Sequence, residues 1–260
     1  MSGSTGESWS LTVEEKTRLA GLAVEVAGSR VPVIVGTGEI RTDRVIEASL
    51  AMKGLGAAGV MVVPPYYAEV DRNAVLQYYR SINDAIKFPI LLYNHPQTTG
   101  VNLDGSYLQE LCALEWVVAT KEAANNIAQL YTTLFNYGEQ ISVMAGYILK
   151  HGAASAFMGC PAFLGGPDVQ ILGAEGGSLF WLASSGDVEG ARRVQRRANS
   201  LAEIGSIGAT PAGLKAAMNL LGRPGGHCRV PIPDLTTEQT AAVEAILDRL
   251  DLFNSLACRK

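Results

Sequence analysis

Lys121 closes the apolar run "EWVVATK", residues 115–121, and Tyr93 nearly closes "FPILLYN", residues 88–94. A lysine at the end of a buried strand has two readings: a solvated strand terminus, or an amine placed in a pocket. Burial disfavours the ammonium form and lowers a lysine pKa, and a neutral amine attacks a ketone to form a Schiff base. The iminium withdraws electrons from the neighbouring carbon, so a C–C bond can form or break there. That chemistry needs a proton carrier, and a phenol close by can serve. Tyr93 ends the run just before the one that bears Lys121. Parallel neighbours lie ~4.8 Å apart, so the two side chains can share a pocket. The bland reading of Tyr93 is a rim aromatic with a wet hydroxyl.

Two further stretches could assist. "SGSTGES" at 2–8 is rich in hydroxyls and backbone N–H groups; such a turn either holds a carboxylate through hydroxyls and a nest of amides or is a plain Gly/Ser loop. "PPYY" at 64–67 follows another apolar run, and its tyrosines are packing residues or site residues.

The elements that would position these residues alternate in type. Apolar runs stand at 31–36, 58–64, 88–94, 115–121, 141–146 and 154–159 ("ASAFMG"). Both faces of each are apolar, as in parallel strands covered by helices. The first five begin about 25–30 residues apart, the length of a strand plus a crossover helix. Helix-period segments fill the gaps. Thr12 and Glu15 have capping-box spacing, and Thr42 is the expected cap of a helix that stops at Gly54 or Gly56. A repeated βα unit builds an open doubly wound sheet or a closed barrel. "GTGE" at 36–39 lacks the third glycine of the dinucleotide-binding turn. The expected fold is therefore α/β, a (β/α)8 TIM barrel, whose chemistry sits at the C-terminal ends of its strands.

After residue 160 the pattern turns helical. Val188, Ala191, Val194, Ala198, Leu201 and Ala202 fall on one helical face, and the arginines of "ARRVQRR" mainly on the other, a solvated face. Thr210 is the expected cap of "TPAGLKAAMNLLG", with Pro211 at its first position, and "TTEQTAAVEAILDRLDLF" reads as a last amphipathic helix. The expected division is a barrel over 1–186 and a C-terminal helical region over 187–260.

Composition bounds the function. The 260 residues carry a formal net charge of −4, with 48% hydrophobic and 18% charged residues. Nothing points to a nucleic-acid or membrane surface, no apolar run is long enough to span a bilayer, and no signal peptide is visible. Cys112, Cys160, Cys228 and Cys258 are scattered without metal-type spacing and read as reduced thiols of a cytoplasmic protein. The three histidines have no metal-ligand spacing. No metal or cofactor is expected.

Taken together, GSTGE, PPYY, YNxP and K-E-A, in that order and each at a strand end, resemble the family of dihydrodipicolinate synthase and N-acetylneuraminate lyase. "VPVIVGTG" and "TPAGLKAAMNLLG…VPIPDLT" extend the resemblance from residue 2 to about 250. It implies a Schiff-base class I aldolase on a (β/α)8 barrel with extra C-terminal helices. Lys121 would form an imine with pyruvate or another 2-oxo acid, and Tyr93 would be the acid/base group. Ser4 stands at the first of two family threonines and could pass a proton; Thr5 matches the second and would help bind the keto-acid carboxylate. Tyr67 matches a tyrosine lent by a neighbouring subunit, which implies a homodimer or homotetramer. Gly146 matches a backbone position near the keto acid, and Phe157 a pocket-lining one.

Thr98 falls where the synthases carry an arginine that grips the aldehyde's carboxylate. Threonine cannot make that bidentate charged contact, so a second substrate with a neutral, hydroxylated or aromatic end is expected. The alternatives are the lysine-biosynthetic 4-hydroxy-tetrahydrodipicolinate synthase itself, a sugar-acid dehydratase using the same imine, and a non-catalytic binding paralogue. Two departures stand out. Only residues 147–153 separate the fifth and sixth apolar runs, too few for a crossover helix. In the family the GSTGE turn ends the second strand, after a strand, helix and most of a strand, roughly 40 residues; here it begins at Gly3. The barrel is thus expected to be N-terminally truncated, through a start assigned too far downstream or in a degenerate paralogue.

Overall fold

The computed structural model describes residues 1–253; Cys258 lies outside them. The chain forms two compact units, Met1–Gly146 with Cys160–Ala162, and Tyr147–Gly159 with the chain from Phe163 onward. Residues 147–159 and 163–186, expected in the barrel, thus belong to the second unit.

The first unit is built on five parallel strands in sequence order: β1 (Ile34–Gly36), β2 (Gly59–Val62), β3 (Ile90–Asn94), β4 (Val117–Glu122) and β5 (Ser142–Ala145). Each strand pairs with the next, which is the βα progression expected from the spacing. The apolar residues on both faces are buried: Val60, Val62, Ile90, Leu92 and Val143 on one face are fully inaccessible, and Met61 and Leu91 on the other are buried as well. The helix Val13–Ala27 leads into β1, and helices Thr42–Gly54, Arg72–Ile86, Gly105–Leu111 and Ile127–Tyr137 lie in the four connections between the strands. The helix Arg72–Ile86 shows why they form: Asp71 caps it by accepting from the Ala74 N–H at 2.8 Å, and Val75, Leu76, Tyr79, Ile82 and Ile86 make one buried face. Its Tyr79 hydroxyl donates to the Val62 carbonyl at 3.1 Å and ties down the end of β2.

The Thr12–Glu15 capping box forms as expected. Thr42, expected as a cap, is the first helical residue instead; Arg41 takes the cap position without a side-chain bond and pairs with Asp43. That helix ends at Gly54, and Gly56 turns the chain with φ +86°. Beside β1 the Met1 carbonyl accepts from the Gly36 N–H at 2.9 Å, and the Met1 amino group donates to the Ile34 carbonyl at 2.6 Å. A Cβ on Gly36 would stand 2.2 Å from the Ser2 carbonyl oxygen, so only glycine lets this segment approach.

The sixth expected strand is a helix. "ASAFMG" lies in and just beyond the helix Ile148–Phe157, whose Gly152, Ala153, Ser155 and Ala156 are buried. Short apolar runs do not distinguish buried strand from buried helix, and these small side chains pack a helix against Leu179, Ala183, Ala191 and Val194. The short spacing after β5 follows, because no crossover is being made. Cys160–Ala162 then returns to the first unit, where the Ala145 N–H donates to the Ala162 carbonyl at 3.2 Å. The stretch "GCPAFLGGPDVQILG" contains the helix Pro167–Leu172.

The rest of the second unit is helical: Ala174–Ser184, Val188–Leu201, Thr210–Leu220 and Thr237–Arg249. In Val188–Leu201, Ala191, Val194, Ala198 and Leu201 are buried as the periodicity predicts, whereas Val188 is exposed. Arg192, Arg193 and Arg196 face solvent. Thr210 is the first helical residue rather than the cap, which is Ala209, while Thr236 and Gln239 form a capping box for the last helix. Among the described residues no helix is long and apolar enough to cross a membrane.

Candidate active site

Tyr93 and Lys121 are register partners, each penultimate in its strand, at the C-terminal ends of β3 and β4. Partners in adjacent parallel strands present their side chains on the same face, and here they touch. The Lys121 Nζ lies 3.9 Å from the centroid of the Tyr93 ring. The ring's negative face attracts the ammonium. Tyr93 is buried and Lys121 half-buried.

His95 is two residues beyond Tyr93. Its ring centroid lies 5.6 Å from that of Tyr93, with the planes at 60°. Burial, and then the charge of Lys121, push the His95 pKa below the usual imidazole value, so the ring is neutral at pH 7. Pro96 then starts a single helical turn, Pro96–Thr99, that Gly100 ends with φ +73°.

Tyr93 also lines a cavity of about 400 Å³. Ser4, His95 and Thr98 share that wall, and Trp9, Tyr66, Lys16 and Glu39 line it too. Lys16 is spoken for: its Nζ lies 3.0 Å from Glu39 Oε1, with the lysine side chain 17% exposed. Burial, reinforced by the Glu39 carboxylate, raises the pKa of the Tyr66 phenol. The turn 3–8 closes on itself, because the Gly6 and Ser8 N–H groups donate to the Gly3 carbonyl and that of Glu7 to Ser4. These three amides are therefore not open to a carboxylate, which favours the plain-loop reading of the turn, and Ser4 lies on the cavity wall.

The remaining expected residues are placed differently. Thr5 is exposed and does not line the cavity. Tyr67 is 97% exposed with φ +69°, so it is Tyr66, not Tyr67, that faces this cavity from the same chain. Gly146 follows β5 and donates its N–H to the Glu122 carbonyl at 2.9 Å. Phe157 ends its helix in the second unit and is 46% exposed.

His95, Trp9 and the Lys16–Glu39 pair were not singled out by the sequence, and Tyr66 only as one of the two tyrosines of "PPYY". For His95 a signal existed: the period of two along a strand returns position 95 to the face of Tyr93. For Lys16 and Glu39, far apart in the chain, no local pattern points to the contact. Among the described residues no cluster of His, Cys, Asp or Glu could hold a metal ion. Burial pushes the thiols of Cys112 and Cys160 up to about 11, which leaves them poor nucleophiles at neutral pH.

An amine stacked on a phenol, at adjacent strand ends of a sequential parallel βα sheet, is an arrangement that suits Schiff-base chemistry. Comparison with known proteins makes this specific. The family model of the Dihydrodipicolinate synthetase family matches residues 1–250. The 4-hydroxy-tetrahydrodipicolinate synthase 1 of Halalkalibacterium halodurans is 35% identical over 97% of this chain and 85% of its own length. That of Clostridium perfringens is 34% identical over 93% and 82%. The fold matches the dihydrodipicolinate synthase of Acinetobacter baumannii, solved in complex with pyruvate, at a TM-score of 0.90 and 25% identity over 96% of this chain and 86% of that one. A pyruvate-bound prophage protein of the family from E. coli K12 matches at 0.89 and 26% identity over 97% and 86%. The chain belongs to the dihydrodipicolinate synthase family; its sequential parallel α/β sheet and C-terminal helices match solved structures of that barrel family, and it is a carbon–carbon lyase of the class I aldolase type.

Proposed function

We propose that Lys121 condenses with the keto carbon of pyruvate and that Tyr93 carries the protons. The amine attacks C2, and the phenol returns a proton to the departing oxygen, which leaves as water and completes an iminium. Loss of a C3 proton gives an enamine, which adds to an aldehyde; the reverse sequence cleaves the aldol. Hydrolysis of the iminium frees the lysine. The observation that carries this reading is the register pairing of Tyr93 with Lys121 and the 3.9 Å contact between them. The pyruvate complexes of two structural neighbours support the choice of keto acid.

Ser4, on the cavity wall with Tyr93, extends the proton path. Thr5 and the backbone at Gly146 are the proposed contacts of the keto-acid carboxylate and carbonyl. Tyr67, almost wholly exposed, is available to a neighbouring subunit's relay, and we propose an oligomeric, cytoplasmic enzyme.

The second substrate follows from the cavity. Thr98 offers a hydroxyl, and the nearby cation Lys16 is already neutralised by Glu39. An aldehyde with a neutral, hydroxylated tail fits this wall better than one with a carboxylate. The second reading, 4-hydroxy-tetrahydrodipicolinate synthase itself, is favoured by the names of the curated relatives. Pyruvate consumption with a panel of neutral hydroxyaldehydes, set against aspartate semialdehyde, separates the two. Faster turnover of a hydroxyaldehyde is expected. Efficient use of aspartate semialdehyde would establish the second reading, and trapping of pyruvate without any turnover would indicate a binding paralogue.

A further inference from the structure

Behind Tyr93 and Lys121, on the opposite face of the same two strands, lies a buried polar cluster. Asn94 is inaccessible and Glu122 is 4% exposed. They are register partners, one step beyond Tyr93 and Lys121. The Glu122 carboxylate accepts three N–H bonds. Asn94 Nδ2 donates to Oε2 at 2.9 Å, Gln129 Nε2 to the same oxygen at 3.2 Å, and the Ala124 backbone N–H to Oε1 at 2.8 Å. Asn94 is held in turn by Asn102 Oδ1 at 2.9 Å and accepts from the Leu103 N–H at 2.9 Å. Asn102 and Gln129 exchange a reciprocal pair of amide bonds. Glu122 is the one ionisable member of this set, and its donors come from β3, the turn after β4 and the helix Ile127–Tyr137.

A second observation shows what such a cluster could decide. The β3–β4 ladder is irregular near its start: Ile90 pairs with Val117 but Leu91 with Ala119, so Val118 is skipped. Had the first pairing continued without that skip, Tyr93 would stand opposite Thr120, and Lys121 would be paired with Asn94. A shift of one residue turns every following side chain to the other face. The catalytic pairing thus exists only in the bulged register, and only that register lets Asn94 meet Glu122.

We propose that Glu122 is a positioning residue whose carboxylate, by binding Asn94, Gln129 and the Ala124 amide, selects the strand register that lays Tyr93 over Lys121. This deepens the Schiff-base reading, on which its functional consequence rests. Glu122→Gln keeps the shape but sets an amide N–H₂ against donors. Gln129→Glu in that background returns an acceptor to the cluster, and Gln129→Leu alone removes one donor with less disturbance.

Two measurements on the full chain distinguish the outcomes. In pyruvate-free protein labelled at lysine, the ε-methylene signal of Lys121 should be displaced upfield by the Tyr93 ring. Glu122→Gln should move it toward the position of a free lysine, Gln129→Leu by less, and the double variant back toward wild type. Exchange of pyruvate C3 hydrogens for deuterium should slow by about 10- to 100-fold in Glu122→Gln, as misplacement on the ångström scale does. The pyruvate concentration for half-maximal rate should change far less, and the double variant should recover part of the rate. An unmoved Lys121 signal in folded Glu122→Gln, or rates that track melting temperature with no recovery in the double variant, would overturn the proposal. Should Glu122→Gln not fold, an unmoved signal in Gln129→Leu does so. Wild-type protein that neither exchanges nor traps pyruvate would refute the Schiff-base reading, while the lysine signal still decides the register.

Discussion

Replacing Tyr93 with phenylalanine removes one oxygen and leaves the ring. The ring centroid, 3.9 Å from Lys121 Nζ, keeps its cation–π contact, a contribution of about 0.5–2 kcal/mol. Tyr93 is 4% exposed, and its ring continues to fill the same space. Stability should therefore change by no more than about 1.5 kcal/mol, the usual worth of one hydrogen bond. Proton transfer is another matter. A positioned acid/base group contributes roughly 10²–10⁴ in rate, which is about 2.7–5.4 kcal/mol of barrier. Exchange of the pyruvate methyl hydrogens into deuterated water, followed by NMR, reads that step without knowledge of the aldehyde. Tyr93→Phe should slow exchange at least about 100-fold while its melting temperature stays close to wild type. Exchange within a small factor of wild type in the folded variant would show that the phenol is not the proton carrier.

Three other perturbations have defined outcomes. A Cβ at Gly146 would stand 2.7 Å from the Ala123 Cβ and 2.8 Å from the Glu122 carbonyl oxygen, so Gly146→Ala should cost about 1–3 kcal/mol; an unchanged denaturation midpoint would contradict this packing. Because burial and Lys121 hold the His95 pKa below its ordinary value, the unfolded chain takes up this proton first as pH falls. Stability should then drop between the unfolded pKa of about 6.5 and the lower folded one. His95→Asn should lose less stability than wild type on going from neutral pH into that window, and equal losses in parallel melts would refute the shift. Thr98→Arg should gain on the order of 1.5–3 kcal/mol of binding for a carboxylate-bearing aldehyde, seen as a lower KM for aspartate semialdehyde; no change would mean that Thr98 does not meet the second substrate.

The legible parts of the sequence were those set by local rules. Five strands could be placed because Val, Ile and Leu fill both faces at βα spacing, and the Thr12–Glu15 box because its two bonds span one turn. The pairing of Tyr93 with Lys121 was visible as adjacency of strand ends, and Thr98 as a missing charge. "ASAFMG" was misread because a small-residue apolar run carries no period that separates strand from helix. Thr42 and Thr210 were each placed one residue outside their helices, where a hydroxyl suggested a cap that no side-chain bond makes. The Lys16–Glu39 pair and the cluster around Glu122 were hidden, since they join residues that only the folded sheet brings together. The skipped Val118 was hidden as well: nothing in "EWVVATK" marks which valine leaves the ladder.

The most direct test of the account is covalent. Pyruvate and borohydride are added to the protein, and a proteolytic digest is mapped by mass spectrometry. One reduced pyruvate unit on the peptide containing Lys121, absent from Lys121→Met under the same conditions, is the predicted result. An unmodified Lys121 peptide in folded wild-type protein at saturating pyruvate, or an adduct that persists in Lys121→Met, would contradict it.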